Sequence, residues 1–258
     1  FKGSSTSATF QPSGLAENTV YYWRIDEKNL NGTTAGPIWS FTTGARALPA
    51  GITADWRLNE TQGLAIDIVG GYNGTLAGPG LAWVPAQGAA YFDATVTGSN
   101  ASAISVPAAP INAAAGTLSM WINLGADAGG LNIRDGGRNG NGFVFGVREG
   151  STISKLQLYI NGTGLTNNLN LKIGGTTKTN LTTDLATGTW YHIAITWDGS
   201  SYAGYRDAAL VYTNTYSGLT TLVEAAEIGN NGEATTQSFH GLIGSCQIYN
   251  RAVTSGEI

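Results

Sequence analysis

The sequence is poor in charge, in cysteine and in long apolar runs, and each shortage excludes a class of protein. Only 12% of the residues are charged, about half the usual share of a globular chain, and no basic cluster offers a footprint for nucleic acid. The single cysteine, Cys246, can form neither an internal disulfide nor a cysteine zinc site. Because no run of about 18 apolar residues occurs, we expect no membrane-spanning helix.

Glycine and aromatic residues are abundant instead. The chain contains 37 glycines, 7 tryptophans and 11 tyrosines, whereas disordered chains are poor in aromatic residues. No window combines a helical period of 3.6 with helix caps. Alternating apolar and polar residues recur in short segments that are separated by Gly, Asn and Ser. The sequence therefore predicts an all-β fold of many short strands joined by tight turns.

Three segments in the second half of the chain carry the clearest strand pattern. Apolar and polar side chains alternate along residues 117–124, which places Trp121 on the face away from the core. Residues 155–161 repeat the pattern and place Tyr159 in the same way. Residues 190–197 form a long apolar strand that ends in an Asp-Gly pair, a hairpin signal.

Residues 1–44 resemble the C-terminal half of a fibronectin type III domain. The residues that carry the resemblance are Leu15, Tyr21, Trp23, Ile25 and the segment 36–43. It implies a tyrosine corner, in which the Tyr21 hydroxyl bonds to the backbone upstream. Three strands cannot cover both faces of a core. We therefore expect earlier strands of a longer parent chain, the next domain or a neighbouring chain to complete this partial domain.

Residues 45–51 are predicted to be a linker, and the rest of the chain resembles another family. The linker contains Pro49, which removes a ladder donor. Residues 52–258 resemble the laminin G-like, concanavalin A-like domains of secreted bacterial proteins. The matching motifs are residues 56–63, 67–76, 91–93, 116–122, 188–199 and 239–252. The predicted fold is an antiparallel jelly-roll β-sandwich (concanavalin A-like) preceded by a partial fibronectin type III-like β-sandwich.

The resemblance implies glycan binding by an extracellular or cell-surface module of a larger bacterial protein. Sugar rings stack on aromatic side chains and bond to polar ones. The candidate glycan-binding residues are Trp121, Tyr159, Arg134, Asp135, Arg138, Asn139, Asn141, Asn230, Asn231 and Glu233. The alternative is that Trp121 and Tyr159 pack under loops and that the Asn-Gly pairs only form turns.

Asp67 and Asn73 bracket a glycine-rich turn that could supply oxygen ligands to one structural calcium ion. Domains of the resembling family often hold calcium at this turn. The sequence departs from the family where Gly244-Ser245 replaces a common acidic pair and where Asn59 replaces a common Asp. A plain turn is therefore an equal alternative, and no other cofactor is expected.

The sequence gives no clear catalytic pattern. Glycoside hydrolysis requires two carboxyl groups across a groove, and the Glu-x-Asp-x-x-Glu strand common in enzymes of this fold is missing from the sequence. Neither His192 nor His240 adjoins a nucleophile motif. We expect a noncatalytic module that recognises polysaccharides or glycoprotein glycans. Two alternatives stay open: a structural spacer or fibre subunit completed by strands of a neighbouring chain, and a glycan hydrolase or lyase with unrecognised acids.

Overall fold

The computed structural model divides into two compact units, Phe1–Ala50 and Gly51–Ile258. It describes residues 15–16, 18–44, 48–94, 102–125, 141–149, 153–161, 167–174, 179–220, 222, 225–231 and 238–258. Within these ranges the named strands pair only in the antiparallel sense, and the one helix is the 3-10 turn Pro85–Gln87. This confirms the predicted all-β class. The described part of the chain contains no helix that could span a lipid bilayer.

The N-terminal unit contains two small strand pairs. Its strands are β1 (Val20–Trp23), β2 (Glu27–Asn29), β3 (Gly32–Thr34) and β4 (Trp39–Thr42). β1 pairs with β4, and β2 forms a hairpin with β3. The predicted strand at residues 8–11 lies outside the described residues.

Aromatic side chains line one face of the β1–β4 pair. Tyr21 stacks on Phe41 with 5.8 Å between ring centroids, and Trp23 stacks on Trp39 at 6.2 Å. Both tryptophans and Phe41 remain exposed. The Tyr21 hydroxyl accepts a hydrogen bond from the Ala16 N–H at 2.7 Å, which is the upstream backbone contact expected for this tyrosine.

The second unit contains two large sheets. Its strands are β5 (Ile52–Trp56), β6 (Thr75–Ala77), β7 (Leu81–Val84), β8 (Ala89–Phe92), β9 (Ala103–Val106), β10 (Gly116–Leu124), β11 (Gly142–Glu149), β12 (Ile153–Ile160), β13 (Leu169–Ile173), β14 (Thr179–Thr182), β15 (Trp190–Trp197), β16 (Ser201–Arg206), β17 (Ala209–Thr215), β18 (Ala226–Ile228) and β19 (Gly241–Tyr249). The eight-stranded sheet has the order β17-β16-β15-β10-β19-β8-β7, with β5 also paired to β19. The seven-stranded sheet has the order β14-β13-β12-β11-β18-β9-β6.

The core lies between these two sheets, since buried apolar side chains from both form one cluster. β10 illustrates the cause: its alternating sequence buries Leu118, Met120, Ile122 and Leu124 and leaves Trp121 on the opposite face, as predicted. Together, the buried side chains stabilise the fold through the removal of apolar surface from water. β10 and its neighbours β15 and β19 form the centre of the eight-stranded sheet, whose outer face carries the candidate site.

Candidate functional site

The outer face of the eight-stranded sheet carries an exposed tryptophan at its centre. Trp121 lies on β10, between β15 and β19, and 43% of its surface is exposed. It faces outward because it follows Met120, a core residue, in the alternation of the strand. An exposed indole on a central strand is held by two neighbouring strands rather than by a loop.

His192 supports one side of this indole. It lies directly opposite Trp121 in the β10–β15 ladder, and the two ring centroids are 5.1 Å apart. The imidazole Nε2 and the Ser119 hydroxyl are 2.8 Å apart and form a hydrogen bond, while the Asp207 carboxylate accepts the backbone N–H of His192 at 2.9 Å. Burial lowers the pKa of His192, and the charge of Asp207 opposes that shift. The imidazole is therefore neutral near pH 7 and matches the predicted strand histidine with a satisfied hydrogen bond.

Gly244 makes room for a second tryptophan. The ladder between β10 and β19 shifts register between Met120 and Ile122, so a bulge lies beside Trp121. A Cβ atom at Gly244 would lie 3.1 Å from the Trp121 Cβ and 3.5 Å from the ring of Trp190. Because Trp190 belongs to β15 and Gly244 to β19, the Trp190 ring must cross over β10. We call the surface formed by Trp121, Trp190 and His192 the tryptophan platform.

A cleft of about 570 Å³ lies at one end of the same three strands. Among the described residues it is lined by Val84, Gln87, Tyr91, Asn123, Leu124, Gly125, Thr187, Gly188, Gly241 and Leu242. Asn123, Leu242 and Tyr91 lie side by side on β10, β19 and β8. We call this depression the Tyr91 cleft. Its lining combines apolar surface with amide and hydroxyl groups, as small-ligand sites commonly do.

Carboxylates lie close to the cleft and the platform. Burial raises the pKa of Tyr91, and the charge of Asp93 raises it further. Asp93 also lies 3.5 Å from Nδ1 of His240, whose ring meets Tyr91 edge-on. Burial lowers the pKa of His240 against the effect of Asp93, so this histidine is neutral near pH 7. The electrostatic environment of the site is thus neutral to acidic.

Tyr159 is buried, which favours the packing alternative over a contact with glycan. Its side chain does lie on the outer face of β12, but only 3% of it is exposed, and its ring stacks on Phe143 of β11 with centroids 5.0 Å apart. Burial raises the pKa of Tyr159 to about 12. Its neighbours Gln157 and Asn170 are buried as well. Alternation identified the face correctly, but that face of the sheet is covered along β12.

The predicted loop residues separate into buried and undescribed positions. Asn230 and Asn231 are buried, and a Cβ at Gly146 would lie 2.5 Å from the Asn231 Cα, so this segment packs onto β11 rather than facing solvent. Asn141 is half-buried and immediately precedes β11. The remaining candidates lie outside the described residues: Arg134, Asp135, Arg138, Asn139 and Glu233. Of the predicted aromatic pair, only Trp121 belongs to an exposed surface.

The turn at Asp67 does not fit a calcium site. The Asp67 carboxylate accepts four backbone N–H groups at 2.8–3.0 Å, two on each oxygen. The amide oxygen of Asn73 accepts the N–H of Asp67. Calcium requires oxygen lone pairs that point at the ion, and these carboxylate lone pairs already point at N–H donors. Within the described ranges, no group of three or more His, Cys, Asp or Glu side chains could hold a metal ion.

Sequence reasoning missed Trp190, Tyr91 and Gly244 as parts of the site. The sequence places Trp190 only in a strand and Tyr91 only in a family motif, since their meeting on one face depends on pairing between distant segments. One signal was present at Gly244, where a glycine replaces the acid common in the resembling family. The missing side chain is what leaves space for the two tryptophans.

Comparison with known proteins gives one family. Residues 97–258, more than half of the chain, match the model of the Concanavalin A-like lectin/glucanases superfamily. This match confirms the predicted resemblance for that part of the second unit, and it does not extend to the fibronectin-like segment. A search of the curated proteins returned no match.

Solved structures share the fold at low sequence identity. Domain 4 of AbnA, a GH43 extracellular arabinanase from Geobacillus stearothermophilus solved with arabinotriose, aligns with a TM-score of 0.59 and 19% identity, over 80% of this chain and 95% of that chain. Trypanosoma rangeli sialidase in complex with sialic acid aligns with a TM-score of 0.62 and 14% identity. That alignment covers 83% of this chain but only 33% of the sialidase. At these identities the likeness shows the fold alone.

Proposed function

The chain belongs to the concanavalin A-like lectin/glucanase superfamily, and on that premise we propose that it is a noncatalytic glycan-recognition module of an extracellular protein. The tryptophan platform is its binding surface. Affinity arises when the apolar face of a sugar ring stacks on the Trp121 indole and displaces water from it. Nearby amide and hydroxyl groups then bond to the sugar hydroxyls and orient the ring.

The exposure of Trp121 is the observation that carries this proposal. Tryptophan gains most from burial of its large ring, yet 43% of this residue faces solvent at the centre of a sheet. Its position is fixed by the cross-strand contact with His192 and by the close approach to Gly244. A ligand therefore meets a preformed surface and orders few side chains on binding.

The known complexes agree with a glycan as the ligand class. A domain of the same fold has been solved with arabinotriose, so the architecture can accommodate an oligosaccharide. The noncatalytic part of the proposal rests on the engagement of carboxylates. The two carboxylates of known position beside the proposed surface are both engaged: Asp207 accepts the backbone N–H of His192, and Asp93 lies 3.5 Å from Nδ1 of His240. They lie at opposite ends of that surface and do not form the carboxyl pair that glycoside hydrolysis needs across a groove.

A binding assay with matched variants tests the proposal. We expect the wild-type chain to be retarded in affinity electrophoresis through at least one neutral polysaccharide, and Trp121→Ala to lose about tenfold or more in affinity. Tyr22→Ala is the control, because this tyrosine is 75% exposed but belongs to the N-terminal unit. Failure to bind any glycan at millimolar concentration, or wild-type affinity in Trp121→Ala, would contradict the proposal. Release of new reducing ends would contradict its noncatalytic part.

A second candidate function is assembly through the N-terminal unit. The aromatic face of the β1–β4 pair exposes Trp23, Trp39 and Phe41, and a contiguous exposed apolar patch of this kind often marks an interaction site. The occupant we propose is a pair of strands from a neighbouring copy, with the two aromatic faces packed together. Light scattering should then report self-association that the double variant Trp39→Ser/Phe41→Ser loses. A monomeric wild-type chain would reject this second function.

A further inference from the structure

Building on the proposed function, we propose that the ligand is a neutral oligosaccharide longer than one sugar unit, held by the tryptophan platform and the Tyr91 cleft together. The platform alone would recognise a single ring. The inference adds the cleft as a second binding region and assigns the ligand its charge class.

The register of the sheet sets the length of the combined site. Trp121 and Asn123 are two residues apart on β10, which separates them by about 7 Å. Asn123 lies opposite Leu242, and Leu242 lies opposite Tyr91, so Tyr91 is two strand spacings, or about 10 Å, from β10. The Trp121 and Tyr91 backbones are therefore about 12 Å apart on the diagonal. A ligand that contacts both rings must be longer than one sugar ring.

Trp190 and Leu242 supply apolar surface between these two residues. Trp190 lies opposite Asn123 in the β10–β15 ladder, and its half-buried ring approaches Gly244 beside Trp121. Leu242 continues the apolar surface toward Tyr91. The aromatic and apolar groups thus form one path along which a chain of sugar rings can lie.

Polar groups line the Tyr91 end of this path. Asn123, Gln87 and Thr187 are among the residues that line the cleft. Amides and hydroxyls can both donate and accept hydrogen bonds, which suits sugar hydroxyls that do the same. The cleft therefore provides hydrogen bonding where the platform provides stacking.

The charges around the site favour a neutral ligand. The described lining of the cleft contains no charged residue. Asp93 acts on Tyr91 at one end, and Asp207 acts on His192 at the other. Arg206 lies 4.0 Å from Asp207 and donates a hydrogen bond to Thr182. A carboxylate on a sialic or uronic acid would be repelled by Asp93 and would meet an already paired charge at Asp207.

The length of the ligand is tested with matched short and long probes. The probes are the mono- and pentasaccharides of the arabinose, xylose and glucose series, titrated calorimetrically into the full chain. For the series that binds, we expect Tyr91→Ala to lose about tenfold in affinity for the pentasaccharide and to leave the monosaccharide affinity unchanged. Gln87→Ala should show a smaller loss of the same kind. Because Gln87 is exposed in a short 3-10 turn, this variant serves even if Tyr91→Ala fails to fold.

Charge is tested with probes of equal length. Methyl-esterified oligogalacturonide is compared with its free acid. We expect the neutral member to bind about fivefold more tightly, with the preference falling as salt is added. Equal or tighter binding of the acidic member would overturn the assignment of charge class.

Failure of this inference can be told apart from failure of the proposed function. If Trp121→Ala abolishes binding while Tyr91→Ala and Gln87→Ala bind both probe lengths as the wild type does, the platform stands and the two-region site is rejected. If Trp121→Ala itself binds like the wild type, the proposed function is rejected.

Discussion

Replacement of Asp67 by asparagine should destabilise the second unit without any involvement of metal. The carboxylate is 4% exposed and joins β5 to the following turn by accepting the N–H groups of Asp55, Val69, Gly70 and Tyr72. An asparagine keeps one acceptor oxygen and turns an NH₂ group toward the other two donors. Two partly buried N–H groups then lose their partner.

The magnitude follows from those two groups. Each unsatisfied donor costs about 1–3 kcal/mol, and partial burial favours the lower half of that range. We therefore expect Asp67→Asn to lower the free energy of unfolding by about 3 kcal/mol. For a unit of this size, that loss corresponds to a fall in Tm of about 9 °C.

The assay is thermal unfolding of the full chain, in EDTA and in millimolar calcium. Asp198→Asn is the matched control, because Asp198 also accepts four hydrogen bonds, from Ser200 and Ser201, but is fully exposed. It should lose less stability than Asp67→Asn. We expect the wild-type Tm to be the same in both buffers. A Tm of Asp67→Asn within about 2 °C of wild type would refute the reasoning, as would a calcium-dependent rise that only the wild type shows.

Three further predictions concern the platform and the core. Gly244→Val should displace Trp121 and reduce glycan affinity at least as much as Trp121→Ala does, with near-ultraviolet circular dichroism as the check that the chain is folded. Unchanged affinity would contradict the close packing of Gly244 against Trp121. The pKa values of His192 and His240 are lowered in the folded state, so the unfolded state binds more protons. The free energy of unfolding should therefore fall as the pH drops from 7 through 6.5 and below. Urea unfolding should show that this free energy depends less on pH when both histidines are replaced by Gln. Cys246 is buried with a raised pKa, so its thiol should resist alkylation in the native chain and react only on unfolding.

Local sequence pattern accounts for the strands and for the side of each strand that faces the core. The alternation along β10 and the long apolar β15 are properties of consecutive residues, so they could be predicted without knowledge of the fold. The same pattern assigned Tyr159 to the outer face of β12 but could not reveal that this face is buried. Exposure depends on distant segments that cover a face, and a period of two carries no information about them.

The site itself depends on long-range pairing. Trp121, Trp190 and Tyr91 are brought onto one face by the register of β15, β10, β19 and β8, which are far apart in sequence. The turn at Asp67 shows another limit: residue types indicate which atoms could bind calcium, but the direction of the backbone N–H groups decides whether those atoms already have partners. Only Gly244 gave a readable signal, as a departure from the family pattern.

The most direct measurement of the central claim is the response of the tryptophan indole N–H signals to glycan in ¹⁵N-labelled protein. Titration with the bound neutral oligosaccharide should shift the signals of Trp121 and Trp190, assigned by single Phe substitutions, and leave those of Trp23 and Trp39 in place. Shifts confined to other tryptophans, or no shift at a saturating concentration that calorimetry has confirmed, would contradict the assignment of the tryptophan platform as the glycan-binding surface.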